Sequence, residues 1–229
     1  MRQRSFNRSY GIILFVIMVS CVQPAISRRI SLPVIIPQDG MSVDSVLTMR
    51  RSVRDFSCGP VSLSDVARLL WAGQGITHED GYRTAPSAGG LYPIDLYLFA
   101  RNIEGLQTGV YRYMPEIHGL EAISQDDIHR DLASAALDQE WVRDASVSII
   151  VTGAPERTFI KYGERAWRYV LIESGCVVQN ILLQSTNLHL ASVVVGAFYD
   201  DLIRPLIGIP STIHPIAIIS VGTIEERFK

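Results

Sequence analysis

Residues 164–187 constrain the fold most, because their pattern predicts one long helix that is apolar on more than one face. Apolar side chains recur at helical spacing on several sides of this segment. They are Val170, Leu171, Val177, Val178, Ile181 and Leu182. Such a helix must either lie at the centre of its own domain or be buried against a second subunit, and both alternatives are open.

Segments with strand character lie on both sides of this helix. Residues 95–100, 109–113 and 145–151 precede it, and residues 191–195 and 215–221 follow it. Because strands and helices mix along the whole chain, we expect an α+β or α/β fold. The length of 229 residues suits one domain with a full core.

Further helices are predicted between these strands. Ser62 to Asp65 has the form of a capping box with Asp in place of Glu. The helix that it starts is expected to end by Gly75. Residues 126–137 are predicted to be helical, and residues 202–207 are predicted to form a short helix.

The first 27 residues have the pattern of an export signal. Three arginines within the first eight residues precede an uncharged run whose apolar centre is residues 11–19. Cleavage after Ser27 would make this segment a signal peptide, and Cys21 offers the alternative of a lipoprotein signal. An uncleaved anchor is a third alternative, although a bilayer span needs about 20 apolar residues. We expect an exported protein, periplasmic or anchored by a lipid, or a cytoplasmic protein if the signal is not used.

The rest of the chain is predicted to form one unit. Residues 28–42 are expected to be an extended lead-in, since Pro33 and Pro37 break any helix there. Residues 43–229 are predicted to be the folded domain. The formal net charge of −2 argues against nucleic-acid binding driven by phosphate neutralisation. Cys176 lies in the apolar helix and is expected to be a buried free thiol.

A short basic segment is the first candidate binding site. Arg50, Arg51, Ser52 and Arg54 place three guanidiniums and a hydroxyl within five residues. Planar guanidiniums match phosphate oxygens, and three cations so close together repel one another unless an anion compensates them. The alternative is a solvated basic cluster without a ligand.

A loop rich in Pro, Ser and Gly is the second candidate. It comprises Pro86, Ser87, Ala88 and Gly89, and its backbone can approach a flat ligand closely. The alternative is a simple connection from a helix to a strand. Together, the two segments predict a nucleotide-like cofactor that is held by arginines at one end and by backbone at the other.

Four motifs in one order carry a resemblance to a known family. They are residues 50–54 (RRSVR), 86–93 (PSAGGLYP), 161–165 (KYGER) and 195–198 (VGAF). The chain resembles the nitroreductase-like flavoproteins and, within them, the SagB/ThcOx-type dehydrogenase branch that includes the azoline oxidases. The resemblance covers roughly residues 43–224.

The resemblance implies an α+β fold with a central mixed β-sheet flanked by helices, and a long helix at the interface of a homodimer. It further implies FMN at each of two sites along that interface. In the family, the arginine segment holds the phosphate and ribityl chain, and the Pro-Ser-Ala-Gly loop lies close to the flavin, often from the partner chain. The implied cofactor-binding residues are Arg50, Arg51, Ser52, Arg54, Pro86, Ser87, Ala88, Gly89, Gly196 and Arg227.

The resemblance also implies a catalytic role for Lys161 and Tyr162, because a Lys-Tyr pair is functionally important in the azoline oxidases. Hydride removal from a C–H bond beside nitrogen or oxygen needs a base for the coupled proton, while flavin N5 accepts the hydride. Tyr162 beside the cation of Lys161 or Arg165 is suited to that task. The alternative is a surface lysine and an interface tyrosine on a loop that leads into the long helix.

These observations leave three functions open. The first is an FMN-dependent oxidoreductase of the SagB type, which exchanges hydride between flavin N5 and a small-molecule or peptide substrate. The second is a broad nitro or quinone reductase that uses NAD(P)H, and the third is a non-catalytic flavin-binding or interaction module. The chain has no Gly-x-Gly-x-x-Gly fingerprint after a strand, so NAD(P)H would bind only transiently, over the flavin. The histidines show no metal-ligand spacing.

Overall fold

A seven-stranded antiparallel sheet forms the centre of the protein in this computed structural model, which describes residues 28–36 and 40–224. Its strand order is β1-β6-β5-β3-β7-β9-β8, and β2 and β4 form a separate small parallel pair. The strands are β1 (Arg29–Ser31), β2 (Val61–Ser62), β3 (Ile94–Ala100), β4 (Ile103–Glu104), β5 (Gly109–Met114), β6 (Gly119–Ser124), β7 (Val147–Gly153), β8 (Ala191–Val195) and β9 (His214–Gly222).

The expected α+β class and the helix-flanked sheet are confirmed, but the expectation of a mixed central sheet is wrong. Every neighbouring pair in the large sheet is antiparallel. The strands β7 and β8 do run in the same direction, as the helical connection between them requires. However, β9 lies between them and pairs antiparallel with both.

Helices cover both faces of the sheet. They are α1 (Val43–Met49), α2 (Leu63–Gln74), α3 (His129–Ala135), α4 (Glu140–Asp144), α5 (Pro155–Tyr162), α6 (Ala166–Asn187) and α7 (Asp200–Leu206). On one face, α2 and α6 pack on the sheet through residues such as Leu69, Ile181 and Ile149. On the other face, Leu132 of α3 and Ile203 of α7 belong to a second buried cluster.

The long helix α6 lies at the centre of its own domain, which was one of the two alternatives predicted from its apolar pattern. It has 22 residues and buries Val170, Val177 and Ile181 against the sheet. Its opposite side remains apolar and open to solvent, since Leu171 is 45% exposed and Ile172 is 59% exposed. A side chain at the neighbouring Gly175 would meet nothing within 4 Å. One side of α6 therefore holds the domain together while the other is free to contact a partner.

The capping signals of α2 are confirmed. The Ser62 hydroxyl accepts a hydrogen bond from the Asp65 backbone N–H at 3.0 Å and donates one to Asp65 Oδ2 at 2.7 Å. Gly75 is the C-cap residue. The first bond satisfies one backbone donor at the start of the helix and the second holds the two side chains together, while Gly75 sets where the helix ends.

The segment around the Lys-Tyr pair differs from the expectation. Lys161 and Tyr162 form the end of helix α5, whereas a loop was predicted there. The helix has only eight residues and buries only Thr158, so its local signal is weak. Cys58 and Cys176 are both unpaired, and Cys176 is half-buried.

The lead-in joins the sheet, because β1 pairs with β6 at its edge. The predicted signal of residues 1–27 lies outside the described residues, as does Arg227. No helix in the described part of the chain combines the length and apolar character that a bilayer crossing needs.

Candidate active site

The arginine segment lies beside the edge strand β8. The backbone N–H of Val53 donates to the Ser192 carbonyl of that strand at 3.0 Å. Arg51 and Arg54 are exposed, and Arg50 is half-buried. In the described part of the chain, no carboxylate forms an ion pair with any of the three. Their guanidiniums are therefore available to an anionic ligand.

Local contacts hold these side chains in place. Arg51 Nη1 donates to the carbonyls of Thr48 at 2.9 Å and Arg50 at 2.8 Å. The Arg54 guanidinium lies over the Trp141 ring, 5.1 Å from its centroid. Because bonds to carbonyls and a ring face leave most N–H donors free, both arginines can still form bidentate contacts with a phosphate.

Gly196 follows directly after the same edge strand. It is exposed, and a Cβ atom at this position would meet nothing within 4 Å. The Gln139 side-chain amide donates to the carbonyl of the next residue, Ala197, at 3.0 Å, which fixes the turn. The backbone at Gly196 is thus open beside the strand that the arginine segment flanks.

Ser87 organises the Pro-Ser-Ala-Gly loop. Its hydroxyl accepts a hydrogen bond from the Tyr92 backbone N–H at 2.8 Å, and its carbonyl accepts one from Gly90 at 3.1 Å. Residues 88–90 form a short 3-10 turn in which Gly89 has a φ of +65°. That left-handed conformation favours glycine, and it folds the loop back toward α5.

The loop meets the Lys-Tyr pair at Gly89. A Cβ atom at Gly89 would lie 2.8 Å from Lys161 Nζ and 2.9 Å from Tyr162 Oη, so both side-chain ends would have to shift to make room for it. Lys161 Nζ lies 5.6 Å from the centroid of the Tyr162 ring, and that ring packs against Tyr169 at 4.7 Å. The structure therefore brings together two segments that the sequence predicted separately, and it places a cation beside the phenol hydroxyl.

Helix α5 is tied to the strand that follows the loop. Arg157 forms a two-pronged ion pair with Asp95 at the start of β3, at 2.6 and 3.2 Å. The same guanidinium donates to the Tyr92 carbonyl at 3.2 Å. Lys161 lies one helical turn after Arg157. The Arg157–Asp95 pair therefore holds the helical segment that carries Lys161 against the start of β3.

Within one chain, the arginine segment and the Lys-Tyr pair lie near opposite ends of α6. Tyr162 lies just before the start of this helix. At its other end, Asn187 accepts a hydrogen bond from the Met41 backbone N–H at 3.0 Å, directly before the helix that leads to Arg50. A helix of 22 residues is about 33 Å long. The two groups therefore do not meet within a single chain.

One candidate was missed in the sequence. Glu173 of α6 is only 2% exposed, and burial raises the pKa of its carboxyl group. A lone acid in an apolar helix was the available signal, but nothing local showed that the residue faces Ser87 and Gln74. Among the described residues, no three His, Cys, Asp or Glu side chains come together as a metal site would require.

The sequence model of the nitroreductase family matches residues 47–223. A Methanocaldococcus jannaschii protein provisionally named as a nitroreductase, MJ1384, is 40% identical over 182 residues, which are 80% of this chain and 91% of that protein. The chain therefore belongs to the nitroreductase family, a family of oxidoreductases whose members generally bind a flavin.

The chain is also similar to a protein that is named for the processing of microcin B17. The microcin B17-processing protein McbC of Escherichia coli is 26% identical over 152 residues, which are 63% of this chain and 55% of McbC. The structure of the E. coli microcin synthetase McbBCD complex with truncated pro-MccB17 shares the fold, with a TM-score of 0.68 at 20% identity over 94% of this chain and 85% of that chain. A Ralstonia eutropha protein provisionally described as a nitroreductase gives a TM-score of 0.76 at 25% identity, covering 87% of this chain and 90% of that chain.

Proposed function

We propose that the chain is an FMN-dependent oxidoreductase of the SagB-type branch, which exchanges hydride with a small-molecule or peptide substrate. The main observation behind this proposal is that Gly89 lies beside Lys161 and Tyr162. This contact joins the loop that the resemblance assigns to flavin binding to the proposed catalytic pair. The similarity to McbC, which is named for processing microcin B17, supports the same branch.

The residues present fit FMN. Unpaired guanidiniums at Arg50, Arg51 and Arg54 suit a dianionic phosphate. The open backbone at Gly196, where a Cβ atom would meet nothing within 4 Å, suits the approach of a flat ring. When bound, FMN supplies the N5 atom that accepts or returns a hydride.

Lys161 and Tyr162 handle the proton in this proposal. Tyr162 Oη takes the proton that leaves the substrate together with the hydride, or returns it in the reverse direction. Lys161 Nζ and Tyr162 Oη each lie within 3 Å of the same point beside Gly89, so the ammonium is placed to compensate the negative charge that the tyrosine oxygen carries before it takes the proton or after it returns it. Tyr169 packs against the Tyr162 ring and limits its motion.

We further propose that the protein works as a homodimer in which two α6 helices pair antiparallel through their exposed apolar sides. This arrangement places the start of one α6 beside the end of the other. It would bring Lys161 and Tyr162 of one protomer toward the arginine segment of its partner, whereas within one chain the two groups lie near opposite ends of α6, a helix about 33 Å long. Each FMN would then contact both chains.

Replacing Leu171 and Ile172 with Glu is expected to convert the dimer to a monomer and to abolish FMN retention. Two carboxylates on the apolar side of α6 would have to be buried without partners in the dimer, at a cost of several kcal/mol each. Light scattering after size exclusion measures the mass, and absorbance measures the flavin. Ile123→Glu is the control, since Ile123 is 42% exposed and lies beside Gly208, just after α7, which belongs to the other face of the sheet. A monomeric wild-type chain that binds FMN would contradict this part of the proposal.

Substituting Ala at Gly89 is expected to lower kcat by about 10- to 100-fold, because displacing a catalytic group by about 1 Å has an effect of this order. Its Cβ atom would push against both Lys161 Nζ and Tyr162 Oη. Gly90→Ala is the matched control, since Gly90 has nearly the same φ, +67°, but its Cβ atom would meet nothing within 4 Å. Equal losses of kcat in both variants would assign the effect to backbone strain alone.

A nitro or quinone reductase that uses NAD(P)H is the second candidate, and the name of the 40% identical M. jannaschii relative favours it. Two assays on the flavin-loaded protein separate the functions. Oxidation of an azoline-containing peptide supports the SagB-type reading, whereas reduction of a nitroaromatic compound with NADH or NADPH supports the reductase. Loaded protein that is inactive in both assays would indicate a binding module.

A further inference from the structure

Glu173 is a buried acid that the proposed proton transfer does not use. Within the described residues, no donor reaches either of its carboxylate oxygens with full hydrogen-bond geometry. Its nearest polar neighbours are the Ser87 hydroxyl of the Pro-Ser-Ala-Gly loop and the Gln74 side-chain amide of α2. Gln74 Nε2 likewise has no partner with full geometry, whereas Gln74 Oε1 accepts a hydrogen bond from Arg83 Nη1 at 2.8 Å.

The surroundings of Glu173 favour its neutral form. A buried carboxylate without a strong partner costs several kcal/mol, which protonation avoids. The cations that face it are Arg83, from the segment after α2, and Arg157 of α5. Arg83 is paired with Glu116, and Arg157 is paired with Asp95, so neither is free to neutralise it. Burial raises the pKa of Glu173, and these neighbours offset only part of that rise.

A neutral acid would complete a directed chain of hydrogen bonds. Arg83 donates to Gln74, whose amide nitrogen can donate to the Glu173 carbonyl oxygen. The Glu173 O–H can then donate to Ser87 Oγ, which also accepts from the Tyr92 backbone N–H. An ionised carboxylate could instead accept from Gln74 Nε2 and the Ser87 hydroxyl, but it would remain a buried charge with no free cation beside it.

We propose that Glu173 is a positioning residue which, through Ser87, fixes the backbone of loop 86–90 where it meets Lys161 and Tyr162. The consequence for cofactor binding rests on the proposed function of this loop. The effect of Glu173 on the position of the loop and on protein stability does not depend on that proposed function.

The test compares Glu173→Gln with Glu173→Ala in the full chain. Glutamine reproduces the donor and the acceptor of a neutral acid, whereas alanine removes both. We expect Glu173→Gln to retain an FMN dissociation constant within about twofold of wild type, and Glu173→Ala to weaken binding about tenfold. Ser87→Ala should weaken FMN binding similarly, and the Ser87→Ala, Glu173→Ala double variant should be no weaker than either single variant.

The pH dependence of unfolding provides a second readout that needs no flavin. Because the folded pKa of Glu173 is raised, its contribution to stability is complete below the unfolded value of about 4.5 and is lost as the pH rises through the folded pKa. The urea midpoint of wild type should therefore fall over this range relative to that of Glu173→Gln. Glu173→Ala should lie below Glu173→Gln at every pH.

These measurements separate failure of this inference from failure of the proposed function. If wild type does not bind FMN but the urea midpoints behave as expected, Glu173 still orders the loop and the cofactor assignment is wrong. If Glu173→Gln is as damaged as Glu173→Ala in both readouts, a carboxylate is required and the inference is overturned. Wild-type behaviour of Glu173→Ala would overturn it equally.

Discussion

Replacing Tyr162 with Phe is expected to lower kcat by about 10²- to 10⁴-fold while the flavin content stays unchanged, because only the proton-transferring hydroxyl is lost. Tyr162 Oη and Lys161 Nζ converge beside Gly89, so Lys161→Ala should cause a loss of similar order. The double variant should be little worse than either single variant, since groups that act as one unit are not additive. Steady-state turnover, normalised to flavin absorbance, measures all three.

The matched control for this series is Tyr82→Phe. Tyr82 is 60% exposed, so loss of its hydroxyl should leave kcat within about twofold of wild type. Unfolding midpoints of the Tyr162 and Lys161 variants should also stay near that of wild type, because both side chains are only partly buried or exposed. Full turnover of the double variant on every accepted substrate would exclude a proton-transfer role for the pair.

Replacing Arg51 with Ala is expected to weaken FMN binding by about 10- to 100-fold. A hydrogen bond to a charged group contributes about 1.5–3 kcal/mol, and 1.4 kcal/mol corresponds to a tenfold change in affinity. The folded state should not change, because Arg51 is exposed and bonds only to the carbonyls of Thr48 and Arg50. Replacing Arg50 and Arg51 together should abolish retention of FMN during purification.

Arg130→Ala controls for the loss of one positive charge, because Arg130 is an exposed arginine on α3, away from the segment. Arg51→Lys should bind FMN better than Arg51→Ala but worse than wild type, since an ammonium lacks the planar fork. Titration followed by fluorescence of FMN gives the four dissociation constants. Equal constants in wild type and Arg51→Ala would remove Arg51 from the cofactor site.

The sequence predicted a helix or strand correctly where that element carries its own capping residues or strand-forming residues. Strand β8 coincides with the predicted residues 191–195, and α2 begins and ends at its capping residues. Helices α1 and α5 were missed because each buries a single residue, Val46 and Thr158. Both helices are short, at 7 and 8 residues, so their helical state also depends on contacts made elsewhere in the fold, such as the Arg157–Asp95 pair.

Long-range relations could not be derived from spacing. The antiparallel order depends on β9, the last strand, lying between β7 and β8, and no local pattern indicates that placement. The approach of Gly89 to Lys161 and Tyr162 was not predicted, since no local signal relates residues so far apart in sequence. Glu173 was not predicted as a site residue for the same reason: its neighbour Ser87 lies in a loop that is distant in sequence.

The most direct test of the proposed function is the absorbance spectrum of the purified full chain, together with the mass of any ligand released on denaturation. We predict a flavin spectrum, release of FMN and about one FMN for each chain. A colourless protein that also fails to take up added FMN would contradict both proposed enzyme activities and favour a family member that keeps the fold for interaction alone.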